Sequence, residues 1–402
     1  MIFRIARSVA DFAFAVRIVC KIGRDASAVK PQKGLSMVDQ KIGIACVSAA
    51  ITSASVLLFL IRRARPLGLI DVPDHQRKRH RGPIPLVGGL AVLVGVLAGV
   101  FVLGGFERFD LVLLSTSVLL VAVGAQDDRR GISVRTRLLV QTAAILLMIA
   151  FTGVYVGTFG GPHGHAFQLG WVGVPFTVFA VIGLLNAFNL IDGVDGLAGL
   201  LALVGIGAIL LLSGVRPAHG SAALLLLLAC ALVPFLLNNT GMFGDRWKCF
   251  LGDSGSTLLG YLLAWTLIEF SQSSATHLTP SSTLWCVAVP VMDTFAVMYR
   301  RIREGRSPFK PGSGHIHHLL MGAGLSQSAA VAVLVALAVA LALFGAWMRQ
   351  LQLGVGSSIL AFGILTIAYI ATSTWMYVRQ RSVRSALARS RRLHSAKGDM
   401  IV

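Results

Sequence analysis

The sequence predicts an all-α fold: a polytopic transmembrane helical bundle of about eleven helices, with the N-terminus outside and the C-terminus in the cytoplasm. Three observations carry that expectation. Hydrophobic residues form 55% of the 402-residue chain and Asp, Glu, Lys and Arg only 13%, against about 25% charged residues in soluble domains; the mean hydropathy is +0.76. Apolar runs long enough to cross a bilayer recur down the chain. Lys and Arg alternate between successive loops, as the retention of cationic loops in the cytoplasm requires.

The apolar runs fall at 42–61, 86–106, 110–126, 137–156, 171–190, 197–214, 220–238, 254–270, 281–299, 327–347 and 355–378. Lipid offers no partner to irregular backbone, so each run reads as a helix. No soluble domain of ordinary size fits between them, and no repeat is evident. The loops that share a side with the C-terminal tail carry, together with that tail, twenty-five Lys and Arg, from Arg62 to Lys397, while the opposite set offers only Arg108, Arg216 and Arg349. The net charge of +19 is therefore a topology signal with attraction to anionic lipid beside it, and nucleic acid is not expected as a partner. The five cysteines show no CxxC spacing and read as reduced packing residues.

Residues 1–41 form an N-terminal extension, 42–378 the membrane domain and 379–402 a basic cytoplasmic tail. The extension opposes the charge pattern, because its eight Lys and Arg precede an outward-facing span. Its apolar stretch from Val9 to Cys20 is too short to span and carries Asp11 and Arg17. It reads as an amphipathic surface helix or, preferably, as sequence upstream of a start at Met37.

Polar residues in a membrane protein must be solvated, paired or used, and here they gather in the loops assigned to the cytoplasm. Adjacent Asp127 and Asp128 repel one another, which suits a divalent cation or proton transfer; helix-end solvation is the plainer account. Asn189, Asp192 and Asp195 recur every third residue and share a face on a helical turn, a set of hard oxygen donors suited to Mg²⁺ and a phosphate ligand, although Asp-Gly twice is also turn chemistry. Gly252-Asp253-Ser254-Gly255-Ser256 opens a hydrophobic helix, where exposed N–H groups and the helix dipole favour an anion, or merely an N-cap. His315, His317 and His318 follow a basic run that includes Arg301, a combination suited to a diphosphate or simply to solvent. Arg77, Lys78 and His80 form a second basic cluster before the run at 86–106, at headgroup level. Asp293 beside Pro290 leaves open a transporter, with an ion site in a broken helix.

In this order and spacing the motifs resemble the polyprenyl-phosphate N-acetylhexosamine-1-phosphate transferases, closest to the bacterial undecaprenyl-phosphate GlcNAc-1-phosphate transferases. The resemblance covers roughly Ile42 to the C-terminus and rests on Arg77 to His80 with Ile84 to Gly89, Asp127-Asp128, Asn186 to Gly196, Gly252 to Ser256, Met298 to Arg301 and His315 to His318. It departs at Gly312-Ser313-Gly314, where that branch usually has an Asp and a basic residue. The resemblance implies a transferase in the bacterial inner membrane, working at the cytoplasmic face with Mg²⁺ or Mn²⁺ and forming GlcNAc-diphospho-undecaprenol and UMP from UDP-GlcNAc and undecaprenyl phosphate. It also leaves room for another UDP-N-acetylhexosamine, for UDP-MurNAc-pentapeptide and for a homodimer. By the same resemblance Asp127, Asp128, Asp192 and Asp195 are catalytic, Asp253 and Asp192 hold the metal, and Asn189, Arg77, Lys78, His80, Arg301, His315, His317 and His318 bind substrate.

Overall fold

The computed structural model describes residues 37–73, 82–160, 167–215, 220–307 and 314–398, with side chains up to 382. Every predicted apolar run is helical. In chain order the helices are α1 (Met37–Leu67), α2 (Gly88–Leu103), α3 (Arg108–Arg130), α4 (Val134–Thr152), α5 (Gly173–Ile191), α6 (Leu197–Ser213), α7 (Gly220–Asn239), α8 (Gly252–Gln272), α9 (Pro280–Cys286), α10 (Ala288–Arg303), α11 (Ile316–Gly322), α12 (Gln327–Gln350) and α13 (Val355–Gly398).

Among the described residues, seven helices are long and apolar enough to cross a membrane: α1, α3, α4, α5, α7, α12 and α13. The pair α9 and α10 makes an eighth if its 84° bend lies within one span. The described residues hold thirteen helices and seven or eight clear spans, so the structure does not by itself give the eleven expected from the sequence. Helices α2 and α6 are apolar but only 16 and 17 residues long, and α8 carries Asp253, Glu269 and a cluster of small polar residues. The bend between α9 and α10 has a covalent cause. Pro290 has no N–H, and its ring crowds the carbonyl four residues back, which belongs to Cys286, the last residue of α9.

Helices α7 and α8 are buried along most of their length, which is how α8 tolerates its polar residues. Around it pack α3, α5 and α2. Tyr261 of α8 donates to Thr116 Oγ1 of α3 at 2.9 Å, and Trp265 meets Phe109 and Tyr261 edge-on. The outer helices instead expose Phe101, Phe179, Leu360 and Ile367, as lipid-facing surfaces do.

Two short antiparallel strand pairs were not expected from the sequence. Strands β1 (Ile70–Asp71) and β2 (Ile84–Pro85) pair with Ile70 opposite Pro85, and the chain continues past Leu86, which bridges to Phe250. This strap lays Gly88 and Gly89 against the start of α8, where their N–H groups donate to the carbonyls of Phe250 and Leu251 at 3.0 and 2.9 Å. At the opposite end of α8, β3 (Thr158–Phe159) and β4 (Phe167–Gln168) are anchored by Gln272, whose Oε1 accepts from the N–H groups of Gly157 and Thr158.

Candidate active site

The site forms where the C-terminal ends of α3 and α5 meet the N-terminal ends of α4 and α8. Glycines allow that approach. A Cβ on Gly124 of α3 would lie 2.5 Å from the Ser254 Cα, and a Cβ on Gly89 would collide with the backbone of Gly255. Gly252 has φ +76°, and a Cβ there would come within 2.5 Å of Asp128 Oδ2. The Gly-Gly pair that opens α2 and the glycines of the Gly252–Ser256 motif are therefore close-packing devices that seat α8 beside α3.

The contact separates two acids that look equivalent in sequence. Asp128 accepts from the Asp253 N–H at 2.8 Å and the Ser254 N–H at 3.2 Å. Its carboxylate occupies the helix N-terminus that the sequence offered to a phosphate, and it interacts there with the positive end of the α8 dipole. Asp127 faces the other way: it accepts from the Ile132 N–H at 2.6 Å and from Arg137 Nη1 at 3.0 Å. Arg137 also reaches Asp253 Oδ2 at 3.4 Å, while the other Asp253 oxygen accepts from Asn189 Nδ2 at 2.6 Å. Asn189 lies 3.1 Å from the Ser256 hydroxyl as well.

Asp192 ends α5 as its C-cap residue and accepts no hydrogen bond from the described residues. Burial pushes its carboxyl up to about 8, with the negative charges of Asp253, Asp128 and Asp195 adding to the effect. The residue that follows it in the family-like motif behaves differently. Asp195 is held by Lys248 Nζ at 2.6 Å and Gln327 Nε2 at 2.8 Å, so it ties the loop after α5 to neighbouring segments. Asn239 reinforces that tie, accepting from the Gly196 N–H and donating to the Cys249 carbonyl.

The histidine segment meets the acids through Gly193, whose Cβ, if present, would lie 2.7 Å from His317 Nε2. His317 is 1% exposed, and neither ring nitrogen has a hydrogen-bond partner among the described residues. Burial, then the neighbouring His318 and His315, lowers its pKa to about 3, and burial lowers that of His318 too. The imidazole facing the acid loop is thus neutral. His315 and His317 lie with nearly parallel rings, 5.8 Å apart. His315 Nδ1 is 2.8 Å from Asp293 Oδ2, and the Ile316 N–H donates to Asp293 Oδ1 at 3.0 Å. Arg301 is buried in the last turn of α10, next to Arg300, which donates to the Gly314 carbonyl.

The structure thus gathers Asp127, Asp128, Asn189, Asp192 and Asp253 and sets His317 beside them, with Asp195 engaged in the supporting loop. Arg77, Lys78 and His80 lie outside the described residues. Sequence reasoning missed Arg137, counting it only toward loop charge. Its signal was its position: a cation in the first turn of a helix opposes the dipole and calls for an acidic partner. Asp127, Arg137 and Asp253 also line a small cavity together with Leu120, Val123, Val140, Gln141 and Thr257.

The family model described as glycosyl transferase family 4 matches residues 111–271, a stretch running from the start of α3 almost to the end of α8. A protein of Yersinia pestis named undecaprenyl-phosphate alpha-N-acetylglucosaminyl 1-phosphate transferase is 37% identical over 331 residues, which is 80% of this chain and 89% of the relative. The protein of the same name from Haemophilus influenzae is 37% identical over 87% of this chain and 100% of its own length. Its namesake from Escherichia coli strain K12 is 37% identical over 71% and 77%.

Proposed function

The chain belongs to glycosyl transferase family 4, and from that premise we propose that it transfers GlcNAc-1-phosphate from UDP-GlcNAc to undecaprenyl phosphate, releasing UMP. An oxygen of the lipid phosphate attacks the sugar-bearing phosphorus, the phosphoanhydride to UMP breaks, and a new phosphoanhydride to the lipid forms. One such bond replaces another, so the protein's task is positioning and charge neutralisation. The product, GlcNAc-diphospho-undecaprenol, would start a lipid-linked surface polysaccharide such as O-antigen.

The observation that carries this reading is the convergence of Asp127, Asp128, Asn189, Asp192 and Asp253 around the cation Arg137 and beside neutral His317. Arg137, set between Asp127 and Asp253, is a cation available there to a lipid phosphate. Both oxygens of Asp127 and both of Asp128 accept hydrogen bonds, which favours positioning roles for them and direct attack by the lipid phosphate over a covalent aspartyl intermediate. Asp192 lacks such partners. With Asp253 it would hold Mg²⁺ or Mn²⁺, which when bound neutralises diphosphate charge. No group of three Asp, Glu, His or Cys side chains among the described residues forms a ready cage, and that fits an ion that takes much of its shell from phosphate oxygens and water.

The same reading puts the acid end of the bundle at the cytoplasmic face of a bacterial inner membrane. The short helices α2 and α6 and the polar α8 then cross within the bundle, giving eleven spans with the first entering from outside. The transporter reading is not favoured, because Asp293 is engaged by His315 and Ile316. The test is a donor panel of radiolabelled UDP-GlcNAc, UDP-GalNAc and UDP-MurNAc-pentapeptide given to purified protein with undecaprenyl phosphate and Mg²⁺. Lipid-extractable GlcNAc with stoichiometric UMP is expected; label entering lipid only from another donor overturns the sugar assignment, and none from any donor overturns the reaction.

A further inference from the structure

The last transmembrane helix carries a polar face that the reaction itself does not require. Tyr369, Ser373, Tyr377 and Gln380 recur at spacings of four, four and three residues, so they lie along one face of α13. All four reach the elements that flank the histidine segment. The Tyr369 hydroxyl donates to Asp293 Oδ1 at 3.3 Å. Ser373 Oγ accepts from Arg300 Nη1 at 2.8 Å. The Tyr377 hydroxyl donates to Glu304 at 3.0 Å, and its ring lies 5.7 Å from the Arg300 guanidinium carbon. Gln380 Nε2 donates to the Leu319 carbonyl at 2.6 Å. Four contacts on one stripe make α13 a splint along α10 and α11.

What the splint holds is specific. Asp293 is 1% exposed and His315 4%, and a buried charge in a membrane helix persists only with partners. Among the described residues Asp293 has three: the His315 ring, the Ile316 N–H and the Tyr369 hydroxyl. A carboxylate can only accept, so in this pair His315 Nδ1 is the donor and the ring is held in one orientation. The Ile316 contact sets the backbone one residue before His317, the side chain that touches Gly193. Arg300 meanwhile pins Gly314, the residue before His315.

We propose that Asp293, braced by Tyr369, is a positioning residue for the nucleotide half of the donor: it fixes the orientation of His315 and the placement of His317, and so couples α13 to donor binding. The proposal rests on the transferase reading given above. It predicts a division between the two substrates, since no hydrogen bond among the described residues links Asp127, Asp128 or Asp253 to α13.

The test uses full-length protein with each substrate varied in turn, together with calorimetric binding of UMP. Asp293→Asn removes the charge that holds His315 and should raise the UDP-GlcNAc KM by about 10- to 100-fold, as loss of a charge-assisted hydrogen bond does, and weaken UMP binding in parallel. Tyr369→Phe removes one oxygen and should raise both by about 3- to 10-fold. In each case the undecaprenyl phosphate KM should stay within about twofold. Unchanged donor KM and UMP affinity in the two variants, or equal losses on both substrates, would overturn the proposal and leave Asp293 a purely structural group. Should Asp293→Asn fail to fold, Tyr369→Phe still decides. If wild-type protein binds UMP but transfers no GlcNAc, the reaction assignment has failed, and the UMP affinities of the variants still judge the positioning role.

Discussion

Replacing Asp128 with Ala should destabilise the protein more than replacing Asp127, although the two acids are adjacent and of one type. Asp128 accepts from the backbone N–H groups of Asp253 and Ser254, so its removal orphans two donors at the first turn of α8. Each unsatisfied buried donor costs about 1–3 kcal/mol, and the lost interaction with the helix dipole adds about 0.3–1 kcal/mol. Burial and the negative charge of Asp253 push the Asp128 carboxyl up to about 7, a penalty that its removal relieves, which places the total at about 2–4 kcal/mol, in the lower half of the summed range. Asp127→Ala orphans only the Ile132 N–H and releases a partly exposed Arg137, for about 1–2 kcal/mol. Asp128→Asn keeps one carbonyl oxygen and should fall between. Because membrane proteins often unfold irreversibly, the measurement is the rank order of apparent melting temperatures in one detergent at one scan rate. A melting temperature for Asp128→Ala equal to wild type, or above that of Asp127→Ala, would refute the capping argument.

Arg137→Gln removes the cation that bridges Asp127 and Asp253; it should tighten Mn²⁺ binding, read by electron paramagnetic resonance, while lowering transfer. His317 has a folded-state pKa of about 3 against 6.5 for the free side chain. Between those values the unfolded chain binds a proton that the native state refuses, so stability is present above pH 6.5 and falls as pH drops from there toward 3; His317→Gln should flatten the pH dependence of the melting temperature over that window. Lys78→Ala is expected chiefly to raise the KM for undecaprenyl phosphate and His317→Ala that for UDP-GlcNAc, and steady-state kinetics showing the reverse would exchange the two assignments.

The helices were legible because hydrophobicity has to be continuous over a bilayer, and each apolar run did become helical. The clustering of acids at one end was legible too, since the positive-inside pattern puts the motif loops on one side. What could not be read were contacts made across the chain. Nothing local in Asp127-Asp128 says which acid turns toward a helix N-terminus 125 residues away; the answer lies in Gly124, Gly89 and Gly252, whose missing side chains let α8 come close. Arg137 was hidden in a count of loop charges. Asp293 was visible as a misplaced acid, but its partner His315 lies 22 residues on, beyond any helical periodicity. The α9–α10 bend was written in Pro290 but was masked by a run that scores as one span.

The charge arrangement explains why so much of this site is devoted to holding acids in place. Asp127, Asp128, Asp192 and Asp253 stand together with Arg137 in direct contact, whereas Asp195 is paired with Lys248 and Asp293 is hydrogen-bonded by His315 and Ile316. Burial, with the negative charge of Asp253 added to it, pushes the carboxyl of Asp192 up to about 8 and that of Asp128 to about 7. Phosphate substrates would add to that repulsion, so a site of this composition favours phosphate only when positive charge arrives with it. Neutral His317 is consistent with the same balance of charge, because it can hydrogen-bond a nucleotide without closing an ion pair to the acids beside Gly193. The glycine contacts under α8 and the polar stripe on α13 then serve one end: they keep two charged loops from relaxing apart while the site waits for its ligands.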